Sequence, residues 1–130
     1  MQNTITTNST ATLTEKKSKF IASLYNITTE QEAIDIIKNT KKEHHKATHN
    51  VYAYIITQNG QTTSRYSDDK EPKGTAGRPI LFLLNQNNLC NILAIVTRYF
   101  GGTLLGKGGL IRAYTKTVKL ALEKTEICKM

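Results

Sequence analysis

The stretch from Ile92 to Tyr114 constrains the fold most, because it combines an apolar run, a glycine-rich loop and an amphipathic helix in that order. The apolar run, Ile92–Val96, is short and rich in β-branched residues, which is typical of a buried strand. Five glycines follow it, at positions 101, 102, 106, 108 and 109. Glycine accepts positive φ angles, so such a loop can turn several backbone N–H groups toward one point, beside the positive end of the next helix. The stretch therefore predicts either an anion-binding loop or a tight turn without a ligand.

The spacing of Gly101, Gly106 and Lys107 matches the Gly-x4-Gly-Lys part of a phosphate-binding P-loop. Gly108 occupies the next position, where a Ser or Thr hydroxyl would bind Mg²⁺. Because that metal ligand is missing, the sequence does not indicate a nucleoside triphosphatase.

The charge of the chain is concentrated in the half that holds these glycines. The formal net charge is +8, and no acidic residue lies between Pro72 and Leu122. Seven basic residues lie in that span: Lys73, Arg78, Arg98, Lys107, Arg112, Lys116 and Lys119. A region of one sign attracts polyanions, which here means RNA, DNA or an acidic protein surface.

The last helix separates apolar from basic residues. At 100° per residue, Arg112, Lys116 and Lys119 fall on the face opposite the packed residues. Tyr99, just before the loop, is a candidate to stack on an unpaired base. The residues expected to bind an anion or nucleic acid are Arg98, Tyr99, Gly101, Gly102, Gly106, Lys107, Gly108, Gly109, Arg112, Lys116 and Lys119.

Asp68, Asp69 and Glu71 form a short carboxylate loop. Paired carboxylates can bind a divalent metal or act as acid and base, but they can also neutralise arginines. We favour the neutralisation of arginines and predict that Asp69 or Glu71 pairs with Arg98 or Arg112.

The histidines and cysteines do not form a recognisable site. His45 and His49 would share a helical face at the i, i+4 spacing of some zinc ligands, but no Cys or carboxylate nearby completes the set. Cys90 begins the buried strand, without an activating base. The sequence therefore predicts no metal, no cofactor and no catalytic residue.

Local patterns predict one domain over residues 1–130, with residues 1–8 frayed and no second domain. No stretch approaches about 20 apolar residues, no secretion signal is present, and two cysteines are too few for a disulfide framework, so we expect a cytoplasmic protein. The predicted elements are strands over Thr10–Glu15, Phe20–Ile27, Val51–Thr57 and Thr62–Ser67, a helix from Thr29 to Glu43, a hairpin turn at Asn59–Gly60 and a helix over Arg78–Leu84.

Two motifs together resemble the IMPACT/YigZ family. They are SDDKEPKGTAGRPIL, at Ser67–Leu81, and VTRYFGGTLLGKGGLIRAY, at Val96–Tyr114. ATHNVYAYI, at Ala47–Ile55, and EKKSKFIA are similar to the family's histidine-led strand and first hairpin. Among the residues that match the family's motifs, we single out His49, Asp69, Glu71, Gly74 and Thr75 beside the anion-binding set. One residue departs from the family: Lys70 stands where a glycine is usual, and a lysine resists positive φ.

The resemblance implies an α+β fold: a two-layer sandwich with a mixed four- to five-stranded sheet and helices on one face. A small-subunit ribosomal protein domain and the fourth domain of elongation factor G share that fold. The eukaryotic IMPACT proteins regulate translation, and nucleic-acid binding has been proposed for bacterial members.

We therefore expect a non-enzymatic regulator associated with translation or the stress response. Its partner would be nucleic acid or a ribosome-associated protein, bound through the glycine loop and the basic helix face. One alternative is a protein-interaction module that binds an acidic regulatory partner. The other is an enzyme that acts on a small phosphorylated substrate, which rests on fold analogy alone.

Overall fold

The structure, a computed structural model, describes residues 2–130. Within them the chain forms strands and helices in the order β1 (Asn3–Ile5), β2 (Ser9–Glu15), β3 (Ser18–Asn26), α1 (Glu30–Glu43), β4 (His49–Gln58), β5 (Gln61–Ser67), α2 (Gly77–Gln86), β6 (Ile92–Tyr99), α3 (Gly106–Leu122) and β7 (Ile127–Lys129).

Five strands form the main sheet, in the order β2-β3-β6-β4-β5. Each neighbouring pair is antiparallel. The α+β class is confirmed, but the sheet is not mixed. The reason is that β6 enters between β3 and β4 and runs opposite to both, while the remaining pairs are hairpins.

The central strand β6 is buried along almost its whole length, from Ile92 to Arg98. One of its faces packs with β3 and β4 against α2 and α3, and the other face, with Leu93 and Ile95, packs against α1 through Ala33. The expectation that all helices lie on one face is therefore wrong for α1. A strand that is apolar at consecutive positions exposes apolar side chains on both faces, and each face needs a cover.

Two local signals act as the sequence predicts. Thr29 caps α1: its hydroxyl accepts the Glu32 N–H at 3.2 Å, while the Glu32 carboxylate accepts the Thr28 N–H at 3.1 Å. Asn59 and Gly60 have φ angles of 54° and 78°, which are those of the type I′ turn expected between β4 and β5.

A short strand lies near the N-terminus, within the segment where the sequence suggests fraying. Asn3–Ile5 pairs with Ile127–Lys129 in a separate two-stranded sheet, and the Ile5 side chain belongs to the core. This pairing joins residues more than 120 positions apart, so no local pattern signals it. Among the described residues, no helix is both long and apolar enough to span a membrane.

The glycine-rich segment is divided between a loop and a helix. Gly101 and Gly102 lie in the loop, while Gly106, Gly108 and Gly109 form the first turn of α3. A Cβ built on Gly101 would lie 2.0 Å from the carbonyl oxygen of Lys17, so only glycine lets the β2–β3 turn pack here. Tight packing, rather than a ligand, accounts for Gly101.

Candidate functional site

A buried cluster of charged and polar side chains lies at the end of β6. Arg98 on β6 is directly opposite His49 on β4 and Phe20 on β3, so the three side chains form a row on the sheet face covered by α3. Glu71 reaches this row from the loop between β5 and α2, and Tyr114 reaches it from α3. Glu71 is 6% exposed and Arg98 is 5% exposed.

Glu71 is the centre of the cluster. Its two carboxylate oxygens accept the Arg98 Nη1–H groups at 2.9 and 3.1 Å, and Oε2 also accepts the Tyr114 hydroxyl. Burial, and then the bond to Glu71, raise the pKa of Tyr114 well above its usual value. The prediction that Asp69 or Glu71 pairs with Arg98 or Arg112 is confirmed, and the pair is Glu71 with Arg98.

His49 completes the contacts of Glu71. Its Nδ1 lies 2.8 Å from the carbonyl oxygen of Asp69, which can only accept, so Nδ1 carries a proton. Its Nε2 lies 3.3 Å from Glu71 Oε1. His49 therefore lies within the buried cluster, and no group of three or more His, Cys, Asp and Glu residues that could hold a metal ion occurs within residues 2–130.

Arg98 is almost fully buried, and its guanidinium is held by contacts within the protein. Its guanidinium lies 5.5 Å from the ring centroids of both Phe20 and Phe100, and Nη2 donates to the Ser18 hydroxyl at 3.3 Å. Since its charge is already balanced by Glu71, Arg98 adds no free positive charge to the candidate anion-binding surface.

Tyr99 also lies away from that surface. Successive strand residues point to opposite faces, so Tyr99 faces away from α3, and its hydroxyl is 2.7 Å from Nδ1 of His44. The sequence placed Tyr99 with the glycine loop because it is adjacent in the chain, and the alternation along β6 separates them.

The carboxylate loop has a structural role that the sequence only partly revealed. Asp68 accepts the N–H groups of Gly74, Ala76 and Gly77 at 2.8–3.2 Å and thereby caps α2. Asp68 lies nine positions before Gly77, so the usual sequence signal of an acidic residue at the N-cap position does not reveal this contact. Asp69 accepts the Asn50 N–H at 2.6 Å.

Lys70 and Thr75 lie in the same loop. Lys70 takes a φ of 70°, so it adopts the left-handed conformation of the glycine it replaces. The Thr75 hydroxyl donates to the Pro72 carbonyl oxygen at 2.5 Å and helps to close the loop.

The basic residues of α3 do not all line the same hollow. Arg112 and Lys116 line a hollow of about 240 Å³ together with Lys16 from the β2–β3 turn, while Lys119 lies at a separate hollow near Leu122. Lys107 belongs to the helix and lies five positions before Arg112, about 140° around the helix axis. We call the hollow lined by Lys16, Arg112 and Lys116 the basic groove.

Lys107 instead borders a larger cavity, of about 410 Å³, on the other side of the first turn of α3. We call it the α3 cavity. Its lining is Thr48, His49, Lys70, Glu71, Pro72, Arg98, Phe100, Leu104, Leu105, Gly106, Lys107 and Leu110. The sequence named several of these residues but did not bring them together, because they come from distant parts of the chain: β4, the β5–α2 loop, β6 and α3 with the loop before it.

The fold and the site define an α+β domain whose antiparallel sheet and surrounding loops are tied together by a buried carboxylate–guanidinium pair. The chain belongs to the IMPACT family, since the model of the Impact N-terminal domain matches residues 16–122.

Similar proteins agree with this assignment. The IMPACT family member YvyE of Bacillus subtilis is 50% identical over 107 residues, which cover 82% of this chain and 49% of that protein. A solved structure described as a hypothetical protein matches with a TM-score of 0.90 and 34% identity, over 98% of this chain and 64% of that one. A structure of the two-domain translational regulator Yih1 matches with a TM-score of 0.59 and 24% identity, over 92% of this chain and 47% of that one, and so shows the fold alone. The chain spans about half the length of the curated relatives it matches.

Proposed function

We propose that this domain is a non-enzymatic, cytoplasmic binding domain associated with translation, and that it binds the phosphates of RNA through the basic groove. The observation that carries the proposal is the grouping of Lys16, Arg112 and Lys116 around one hollow. All three side chains are exposed, and none forms an ion pair within the described residues. Glu15 is the one carboxylate that lines the hollow, so the positive charge there exceeds the negative by two.

Two further facts support this assignment. Exposed cations without partners keep their full charge for a polyanion, and phosphate contacts of this kind supply most of the affinity of nucleic-acid binding that is not sequence-specific. Membership of the IMPACT family, with its association with translation, makes RNA the first candidate among polyanions.

The experiment is a fluorescence anisotropy titration of labelled RNA and DNA oligomers at several salt concentrations. For single strands, the logarithm of the binding constant falls with the logarithm of salt by about 0.7 per phosphate contact. Arg112→Ala combined with Lys116→Ala should therefore weaken binding to all sequences about equally and reduce the salt slope by about 1.4. The melting temperature should change little, because exposed charges contribute little to stability.

The matched control is Lys38→Ala combined with Lys46→Ala. Both lysines are exposed, both precede β4, and the pair removes the same charge as the test variant. Tighter binding of DNA than of RNA would retain the groove and change the partner. Equal loss in test and control variants would reduce the effect to net charge, and unchanged binding in the test variant would refute the groove. The remaining interpretation would then be a protein-interaction module.

A further inference from the structure

We propose that the α3 cavity is a second, separate binding site, for a small organic anion with a flat apolar ring system. Its volume of about 410 Å³ lies in the range of about 300–1,000 Å³ that is typical of sites for small organic ligands. The site does not depend on RNA binding, because the basic groove lies on the other side of the first turn of α3.

The charges around the cavity favour an anion. Glu71 and Arg98 on its floor neutralise each other, which leaves Lys70 and Lys107 as exposed cations at its rim. Neither lysine forms an ion pair within residues 2–130.

The first turn of α3 adds hydrogen-bond donors at the same place. The N–H groups of Gly106, Lys107 and Gly108 have no intrahelical acceptor, and Leu105 at the N-cap position supplies no side-chain acceptor. No other atom of the described chain accepts from them. They lie at the positive end of a 17-residue helix.

An independent observation also indicates a ligand. The Nε–H of Arg98 is buried and has no hydrogen-bond partner, and it is the one such side-chain group among the described residues. The Arg98 side chain forms part of the cavity floor. A buried donor normally has an acceptor, so a small shift of the Arg98 side chain toward the cavity would let a ligand atom accept from this N–H.

The walls favour a flat apolar body rather than a bare anion. Leu104 is 81% exposed and Phe100 is 46% exposed at the mouth of the cavity, beside the buried Leu110. Arg98 covers part of the Phe100 ring, and the rest is free to stack on a ligand ring. A nucleoside monophosphate and an aromatic carboxylate share the required chemistry.

The test is a ¹H–¹⁵N NMR titration of the full chain with four probes: adenosine monophosphate, indole-3-carboxylate, adenosine and inorganic phosphate. Saturable shifts of the Gly106, Lys107 and Gly108 amides with either ring-bearing anion, at a Kd at least tenfold below those of adenosine and phosphate, support the site. The first two probes distinguish a nucleotide from an aromatic carboxylate. Phosphate binding as tight as that of both ring-bearing anions, or no saturable shift with any probe, overturns it.

Variants then locate the site. Lys107→Ala should raise the Kd about tenfold, the effect of one charge-assisted contact of about 1.4 kcal/mol. Leu104→Ser should raise it at least about threefold without affecting folding, because this side chain is exposed. Lys38→Ala removes the same charge as Lys107→Ala but lies on α1, and should leave the Kd unchanged. Equal effects of Lys38→Ala and Lys107→Ala would overturn the assignment to the α3 cavity, whatever the RNA titration shows.

Discussion

Replacing Glu71 with glutamine tests whether the buried cluster holds the loops together. The change keeps the shape of the side chain but removes its charge. Glutamine retains one acceptor oxygen, and its NH₂ group would face donors instead of accepting from them. Arg98 would then lie in the core without a counter-charge, confined between Phe20 and Phe100.

The expected loss follows from the burial of both partners. Removing one member of a buried ion pair costs about 3–5 kcal/mol, because the remaining charge is uncompensated. With Arg98 only 5% exposed, solvent cannot replace the carboxylate. For a domain of this size, each kcal/mol shifts the melting temperature by about 3–5 °C, so Glu71→Gln should lower it by about 10–25 °C.

The assay is urea unfolding followed by circular dichroism, together with a thermal scan. Glu126→Gln is the matched control, since Glu126 is exposed and its side chain has no partner, and its effect should stay below about 0.5 kcal/mol. Glu71→Leu combined with Arg98→Met should be much less damaging than Glu71→Gln, because neither charge remains buried. A loss below about 1 kcal/mol for Glu71→Gln would mean that Arg98 is solvated, and the reasoning would be refuted.

Three other changes have clear signs. Lys70→Gly should raise the urea midpoint by the equivalent of about 1 kcal/mol, because it relieves a φ of 70°, and no rise would contradict that strain. Gly101→Ala should lower the free energy of unfolding by about 2 kcal/mol or more, because the new Cβ would clash with Lys17. Gly108→Ala is the control: it lies in the first turn of α3, where the new Cβ would meet only the flexible end of the Arg112 side chain, and it should be neutral or stabilising. Equal effects of the two changes in thermal unfolding would refute the packing argument. Burial raises the pKa of Tyr114, so the folded state keeps this proton while the unfolded chain ionises near pH 10. The free energy of unfolding should therefore stay constant below about pH 10 and fall above it, and the fall should be less steep in Tyr114→Phe. The measurement is the urea midpoint of both proteins between pH 8 and 11.5. Equal slopes of midpoint against pH in the two proteins would contradict the prediction.

The elements that sequence patterns predicted correctly depend on local interactions. The capping box at Thr29 and the turn at Asn59–Gly60 involve residues at most a few positions apart, and β6 is recognisable by its unbroken apolar run. The pairing of Glu71 with Arg98 was also predictable, because so few acids are available to so many bases in this half of the chain.

The features that were missed depend on contacts between distant residues. β1 exists because β7 pairs with it, and α1 lies on the second face of the sheet because β4 and β6 are apolar on both sides. Lys16 joins the basic groove only because the β2–β3 turn packs on Gly101. None of these contacts leaves a periodic signal in the sequence.

The division of the basic residues has a physical cause in the same loop. Sequence position alone suggests that Arg98, Lys107 and Arg112 act on one ligand, but the buried bond to Glu71 removes Arg98 from the surface. Because α3 begins at Gly106 rather than after the last glycine, Lys107 is fixed about 140° from Arg112 around the helix axis. One phosphate cannot contact both side chains from that separation, and this is why we propose two sites with different requirements: a polar groove suited to a chain of phosphates, and a cavity with apolar walls suited to a single anionic group.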